Sequence, residues 1–186
     1  LAVILVANLI VPPAPGAVRP VRDPRRGPPV SGAAAPPARS QTWGRLPLVF
    51  EPNRGQADPA VRFVARAAGY TLLLTDRGAV FAGPAGVVRM KAAGAAMGRA
   101  VAVEGLEPTG GISNYFLGND PARWRTGIPH YRRVQYRDVY RSIDLVYYGQ
   151  QGRLEYDFVV RPGGDPAAIA LVWEGDEDLR ADDNGD

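Results

Sequence analysis

The stretch DLVYYGQQGRLEYDFVV, residues 144–160, decides the fold because it has the form of a β-hairpin. Two segments of alternating apolar and polar residues flank the sequence Gly149-Gln150-Gln151-Gly152, which is typical of a turn. Pairing Gly149 with Gly152 predicts three further cross-strand pairs: Tyr148 with Arg153, Val146 with Glu155, and Asp144 with Asp157. One face of the hairpin then carries Leu145, Tyr147, Leu154, Tyr156 and Phe158. A one-residue slip would break this apolar face, so the pattern predicts that it packs on a core while the charged face points outward.

The chain beyond residue 41 repeats this pattern of short strands. Apolar runs are separated by Gly, Pro, Asn and Asp clusters, and no window carries a sustained helical stripe. The predicted strands are Leu46–Phe50, Val61–Ala65, Tyr70–Thr75, Ala79–Ala82, Val87–Ala92, Ala100–Glu104, Ser113–Leu117, Tyr131–Tyr136, Ile143–Tyr148, Leu154–Val160 and Ala168–Glu174. The sequence therefore predicts an all-β domain, an antiparallel sandwich-like one.

Composition divides the chain into three parts. Residues 1–17 begin with LAVILVANLIV, which falls short of the ~18–20 residues of a membrane-spanning helix and predicts a partial signal peptide or membrane anchor. Residues 18–40 are rich in Pro, Ala and Arg, which predicts a disordered linker. Residues 41–186 are the predicted all-β domain. We expect this domain to continue past Asp186, because an Asn-Gly turn signal stands there with no strand after it.

The positive charge of the chain belongs to its N-terminal part. The formal net charge is +3, but the first forty residues carry five Arg and one Asp, which leaves the remainder at −1. A nearly neutral domain lacks the basic surface of a nucleic-acid binder, so we expect no nucleic-acid partner. The absence of Cys excludes disulfides and thiol chemistry.

Candidate groups for catalysis are few. His130 is the single histidine, and no Gly-x-Ser-x-Gly elbow or closed metal-ligand spacing is present. We therefore interpret His130 as an ordinary loop or strand-edge residue and expect no catalytic residue, metal or cofactor. The spacing Asp182-x-Asn184-x-Asp186 resembles the start of a calcium loop, but the hairpin-turn interpretation is favoured.

The charged face of the hairpin is one candidate binding site. Asp144 and Asp157 are predicted opposite each other, Glu155 shares their face, and the ring of Tyr148 points outward. Facing carboxylates could act on a polysaccharide or hold a cation, and an exposed ring could stack on a sugar. The favoured interpretation is a solvated outer face relieved by Arg153 and nearby arginines. On that interpretation, replacing both aspartates by asparagine leaves stability unchanged or slightly raises it.

A second polar patch lies in FEPNRGQADPAVRF, residues 50–63. It contains Pro, Asn, Gly and Asp-Pro, the residues that build tight compound turns by bonding their own backbone. The favoured interpretation is a structural turn. The alternative is a polar binding patch formed by Glu51, Asn53, Arg54 and Gln56.

Longer motifs carry a family resemblance over roughly residues 46–186. LPLVFEPNRGQADPAVRFVARAAGYTLLLT (46–75), SNYFLGNDP (113–121) and IDLVYYG (143–149) resemble the N-terminal domain of bacterial secreted or cell-surface proteins with SBBP-type β-propeller repeats. The family usually has Asn-Gln-Gly where this chain has Asn53-Arg54-Gly55, and often Pro-Gly-Ile-Asp where it has Arg141-Ser142-Ile143-Asp144. The resemblance implies an exported β-rich module that precedes a propeller, and it implies no enzyme.

The sequence thus predicts a non-catalytic extracellular or cell-surface module for scaffolding, adhesion or surface-polymer binding. The expected partners are the downstream propeller domain of the same chain and a cell-surface polysaccharide or protein, with membrane contact only through the N-terminal segment. Two alternatives stay open. One is a polysaccharide-acting enzyme or carbohydrate-binding accessory domain that uses the acidic hairpin face. The other is a structural cap for the downstream propeller, which would protect its edge strands.

Overall fold

The computed structural model describes residues 3–8, 47–67, 69–84, 86–96, 101–150 and 152–175, the first range by its backbone only. The predicted linker at 18–40 and the calcium-like spacing at 182–186 lie outside the described residues. Within the stretch predicted as a partial signal peptide or anchor, Val3–Asn8 forms a strand that pairs with the strand Arg153–Val160. None of the described helical segments has the length and apolarity that crossing a membrane requires.

The described residues form one antiparallel sheet of eleven strands, which confirms the predicted all-β, antiparallel fold. The strands are β1 Val3–Asn8, β2 Phe50–Pro52, β3 Val61–Ala67, β4 Tyr70–Thr75, β5 Gly78–Gly83, β6 Gly86–Ala92, β7 Val103–Tyr115, β8 Arg125–Tyr140, β9 Ile143–Gln150, β10 Arg153–Val160 and β11 Leu171–Gly175. Their order is β1-β10-β9-β8-β2-β3-β4-β5-β6-β11, and β7 pairs with β8 off this path. Two single 3-10 turns, Pro121–Arg123 and Pro166–Ala168, each begin after an Asp cap.

β8 joins two halves of the sheet: one half contains β1, β10 and β9, and the other contains β2 to β6 and β11. Its second part pairs with β9, while Tyr131 in its first part pairs with Phe50 of β2. β7 runs along the other edge of β8 from Val103 to Tyr115. β2 and β9 therefore pair with successive parts of one edge of β8, and the sheet curls so that the apolar faces of its two halves meet.

Hydrogen bonds across the interior hold this curl. The Tyr136 hydroxyl on β8 donates to the carbonyl of Thr75 at the end of β4, at 3.0 Å. The Tyr140 hydroxyl lies 2.8 Å from the carbonyl oxygen of Ala93, beyond β6. The core between the halves contains Phe50, Leu72, Leu74, Phe81, Met90, Tyr136, Tyr147, Leu154, Tyr156 and Phe158. Apolar burial of such side chains contributes roughly 1.5–3 kcal/mol each, which makes this interior the main stabilising feature.

The β9–β10 hairpin exists as predicted, but its predicted register is wrong by two residues. The observed pairs are Gln150 with Arg153, Tyr148 with Glu155, Val146 with Asp157, and Asp144 with Val159. Gly149 stays inside β9 instead of opening the turn. A Cβ there would overlap that of Leu48, whose backbone passes so close that only glycine fits. The shift is even, so the predicted apolar face is nevertheless the one in the core.

Other strand boundaries also differ from the prediction. Ala100–Glu104 and Ser113–Leu117 were predicted as two strands, but one strand, β7, runs from the end of the first into the start of the second. The Pro and Gly residues between them form a bulge, with a register shift between Pro108 and Ile112. The strand continues because β7 pairs with β8 both before and after this bulge. β8 begins at Arg125, six residues before the predicted start at Tyr131.

Candidate functional site

The turn between β2 and β3 uses its polar side chains to hold its own backbone. Asn53 Oδ1 accepts hydrogen bonds from the N–H groups of Gly55 and Ala57, at 3.0 and 3.2 Å. Asn53 Nδ2 lies 2.8 Å from the carbonyl oxygen of Asp58. Gln56 accepts from the Arg54 N–H at 2.6 Å and donates to the Pro52 carbonyl at 2.8 Å. Asn53 and Gln56 therefore act as structural residues of a compound turn.

Glu51 points away from this turn into a cluster contributed by four strands. We call Glu51 (β2), Arg66 (β3), Ser113 and Tyr115 (β7) and His130 (β8) the Glu51 cluster. Glu51 Oε1 accepts from Ser113 Oγ at 3.0 Å and from the Arg66 guanidinium at 3.3 Å, and Oε2 accepts from the Tyr115 hydroxyl. The Arg66 guanidinium also lies over the Tyr115 ring, 5.3 Å from its centroid. Burial, followed by the bond to Glu51, raises the pKa of Tyr115.

The hydrogen-bond directions in the Glu51 cluster limit its chemistry. Ser113 Oγ lies 2.7 Å from His130 Nε2, the spacing of a nucleophile and its base. A carboxylate only accepts, however, so Ser113 gives its single proton to Glu51, and its contact with His130 then requires a proton on His130 Nε2. In this arrangement the Ser113 hydroxyl has no proton for His130 to remove. The cluster therefore holds β7 and β8 to the β2–β3 hairpin.

The acidic hairpin face is not a set of facing carboxylates. Asp144 is buried and accepts from Gln135 Nε2 at 2.9 Å, from the Asp138 N–H at 2.8 Å and from Arg161 at 3.0 Å. Asp157 lies two residues further along, opposite Val146. The prediction that Asp144 opposes Asp157 is wrong, since it depended on the register of the turn.

Tyr148 lies on the outer face as predicted and is half-buried there. Its hydroxyl donates to Asp157 at 3.0 Å, and the Arg133 guanidinium lies over its ring at 5.1 Å from the centroid. Burial comes first, and the hydrogen bond to Asp157 second, among the causes that raise the Tyr148 pKa. Glu155 is opposite Tyr148 and nearly buried. The ring face that a sugar would use is therefore covered by an arginine.

The turn between β7 and β8 is the most exposed apolar feature of the described residues. We call Phe116, Leu117 and Trp124 the hairpin tip; their exposed fractions are 63%, 42% and 37%. Phe116 and Trp124 pack edge to face with ring centroids 5.1 Å apart. Exposed residues of this size in one place are typical of a contact surface.

The comparison with protein families matches residues 50–186 to a domain of unknown function, DUF7948. This match covers most of the chain. The chain belongs to the DUF7948 family. Neither the curated proteins nor the solved structures contain a match to it.

The described part of this DUF7948 domain contains no group of three acidic or histidine side chains that could hold a metal ion. A cleft of about 490 Å³ lies against the β2–β3 turn and is lined by Pro52, Asn53, Arg62, Phe63 and Val103, among others. The polar atoms of Asn53 are already used by the turn, and the Arg62 guanidinium lies 3.7 Å from the Asp76 carboxylate.

Sequence reasoning selected Glu51 in the DUF7948 domain but missed its partners. It grouped Glu51 with Asn53, Arg54 and Gln56, which the structure separates from it. Ser113 and Tyr115 are two residues apart in β7 and so share one face of that strand, and this alternation in the sequence could have grouped them. The hairpin tip was also missed, because SNYFLGNDP served only as a family motif.

Proposed function

We propose that this DUF7948 domain is a non-catalytic interaction module whose contact surface is the hairpin tip. The observation that carries the proposal is the exposure of Phe116, Leu117 and Trp124 together at the end of one hairpin. Aromatic side chains in such positions contribute most of the binding energy at contact surfaces.

The ionisable clusters support the same proposal. Glu51 and Asp144 each accept three hydrogen bonds from side chains or backbone within the domain, and Asp157 accepts one from Tyr148. Acid-base or nucleophilic catalysis needs such a group to face substrate instead. The alternative of a polysaccharide-acting enzyme or accessory domain on the acidic hairpin face is therefore less favoured.

The setting of this module comes from the resemblance to SBBP-type proteins. We propose an exported bacterial protein in which the domain precedes propeller repeats and serves scaffolding, adhesion or surface-polymer binding. One observation favours the further role of a structural cap. β11 pairs with β6 and ends the strand order on that side, so a following strand could add to its other edge.

Retention on a cell-envelope fraction of the source organism tests the proposal. The full-length protein is incubated with the envelope fraction and the bound share is measured after sedimentation. We expect Phe116→Ser with Trp124→Ser to abolish most retention. Val172→Ser is the matched control, because Val172 is as exposed as Leu117 but lies on β11. Retention that survives the tip substitutions but is lost with Asp157→Asn would replace our proposal with the acidic-face alternative.

A further inference from the structure

The hairpin tip is a preorganised structure, not a loose loop. Trp124 Nε1 donates to the Gly118 carbonyl at 3.1 Å, and Asp120 caps the Ala122 N–H at 2.9 Å. The Gly127 N–H donates to Asn114 Oδ1 at 2.9 Å, which closes the neck of the turn. A rigid surface binds with a smaller ordering cost than a flexible one.

The polar groups of the tip are largely satisfied inside it. Arg125 donates to the carbonyls of Ala122 and Trp124, at 3.1 and 3.0 Å, and the Trp124 N–H donates to the Pro121 carbonyl at 3.1 Å. Polar groups that are already hydrogen-bonded within the protein cost little to desolvate, whereas a sugar-binding surface must present free donors and acceptors. The tip is therefore suited to an apolar or interfacial environment and poorly suited to a carbohydrate.

The charges around the tip are mostly positive. Arg123 lies within the turn, Arg125 begins β8, and Arg54 reaches the Gly127 carbonyl from the β2–β3 turn, at 3.4 Å. The acidic residues of these two turns are Asp120, which serves as the cap, and Asp58, which accepts from the Ala60 N–H. Trp and Phe with flanking arginines are the combination that the headgroup region of an anionic bilayer favours.

The tip and the end of β11 lie at opposite ends of the sheet. The Arg125 side chain lies against Gly55 in the β2–β3 turn, at one end of β3. β11 ends at Gly175, opposite Val88 and next to the β5–β6 turn. Gly83 of that turn lies against the Gly69 carbonyl in the β3–β4 turn, which is the opposite end of β3. The described end of β11 thus lies at the opposite end of the sheet from the tip.

From these features we propose that the hairpin tip binds an anionic lipid surface, with Phe116, Leu117 and Trp124 in the headgroup region and Arg54 and Arg123 at lipid phosphates. The inference rests on the proposed function, since it names the partner of the same tip. It adds a membrane contact to the N-terminal one that the sequence predicts.

Co-sedimentation with protein-free vesicles tests the inference. The full-length protein is mixed with vesicles of phosphatidylcholine alone, and with vesicles of phosphatidylglycerol and phosphatidylcholine in a roughly 1:3 ratio. We expect binding to the anionic vesicles that weakens with added salt, and roughly tenfold weaker binding for Phe116→Ser with Leu117→Ser. Arg123→Glu is expected to lower binding to the anionic vesicles only, and Val172→Ser to leave binding unchanged.

The results separate the two proposals. Unfolding midpoints that match the parent protein show that each variant is folded. Anionic-vesicle binding that is equal in the parent and the tip variants overturns the lipid inference. The lipid inference is also overturned if the protein binds no vesicles while envelope retention still requires the tip. A protein or polymer is then the partner, and the proposed function stands. If neither envelope retention nor vesicle binding depends on the tip, both proposals are refuted.

Discussion

Tyr147 offers a sharp test of the core because its hydroxyl is fully buried and has no hydrogen-bond partner among the described residues. Its ring packs edge to face with that of Tyr136, at 5.7 Å between centroids. A buried hydroxyl without a partner costs about 1–3 kcal/mol of desolvation. Tyr147→Phe removes the hydroxyl and keeps the ring. We therefore expect the free energy of unfolding to rise by about 1 kcal/mol, after some loss of contacts at the vacated space.

Tyr136→Phe is the matched control for this change. Tyr136 is equally buried, but its hydroxyl donates to the Thr75 carbonyl across the core. Removing a satisfied bond lowers the free energy of unfolding by about 0.5–1.5 kcal/mol. The two Tyr→Phe variants should thus shift stability in opposite directions and differ by about 2 kcal/mol.

Urea unfolding of the full-length protein, followed by far-UV circular dichroism, measures both variants. A shift of 1 kcal/mol also moves the melting temperature by about 2–4 °C in a chain of this size. If Tyr147→Phe lowers stability as much as Tyr136→Phe does, the Tyr147 hydroxyl has a bonded partner, such as a buried water, and our reasoning is refuted.

Further predictions concern pH, the Glu51 cluster, the hairpin and the acidic face. Burial raises the pKa of Tyr147 well above the value near 10 of an unfolded tyrosine. The stability that this group contributes is present below pH 10 and is lost as the pH rises above 10, because only the unfolded state then loses the proton. Tyr147→Phe should reduce this loss by about 1.4 kcal/mol per pH unit in urea titrations at alkaline pH. Glu51→Gln should cost about 1–3 kcal/mol and speed hydrogen exchange in β7, and unchanged exchange would contradict the cluster's role. Gly149→Ala should cost about 1–3 kcal/mol in the same urea assay, and a neutral result would show that Leu48 can move away. Asp144→Asn should cost about 1–3 kcal/mol, opposite to the sequence-based expectation, whereas Asp157→Asn should cost less than about 1 kcal/mol; equal effects would contradict this assignment.

The core could be predicted from the sequence because it depends on alternation, and alternation is a local property. Leu145, Tyr147, Leu154, Tyr156 and Phe158 were assigned to the core face, and all five are buried there. The hairpin register was wrong by two residues, and an even shift leaves every side chain on its predicted face. The boundaries of β4 were also predicted correctly, since Gly69 precedes it and the polar turn Asp76-Arg77 follows it.

Cross-strand neighbours could not be predicted in the same way, because they depend on the register itself. The facing pair of Asp144 and Asp157 disappears after a shift of two residues. What fixes the register is Gly149, which stays in β9 because Leu48 passes against it. Leu48 is about one hundred residues away in sequence, so no pattern within the hairpin reports this contact.

The Glu51 cluster shows the same limit and explains why the hairpin tip is a better candidate for binding. Its members come from β2, β3, β7 and β8, and their association depends on β8 pairing with both β2 and β7. Once assembled, the donors of Ser113 and Tyr115 are directed at the Glu51 carboxylate, so its charge is used for folding. The hairpin tip makes its hydrogen bonds within one turn and leaves its apolar side chains in water. Phe116 and Trp124 pack on each other but remain exposed, which opposes solubility, and contact with another surface is the role that we propose for them.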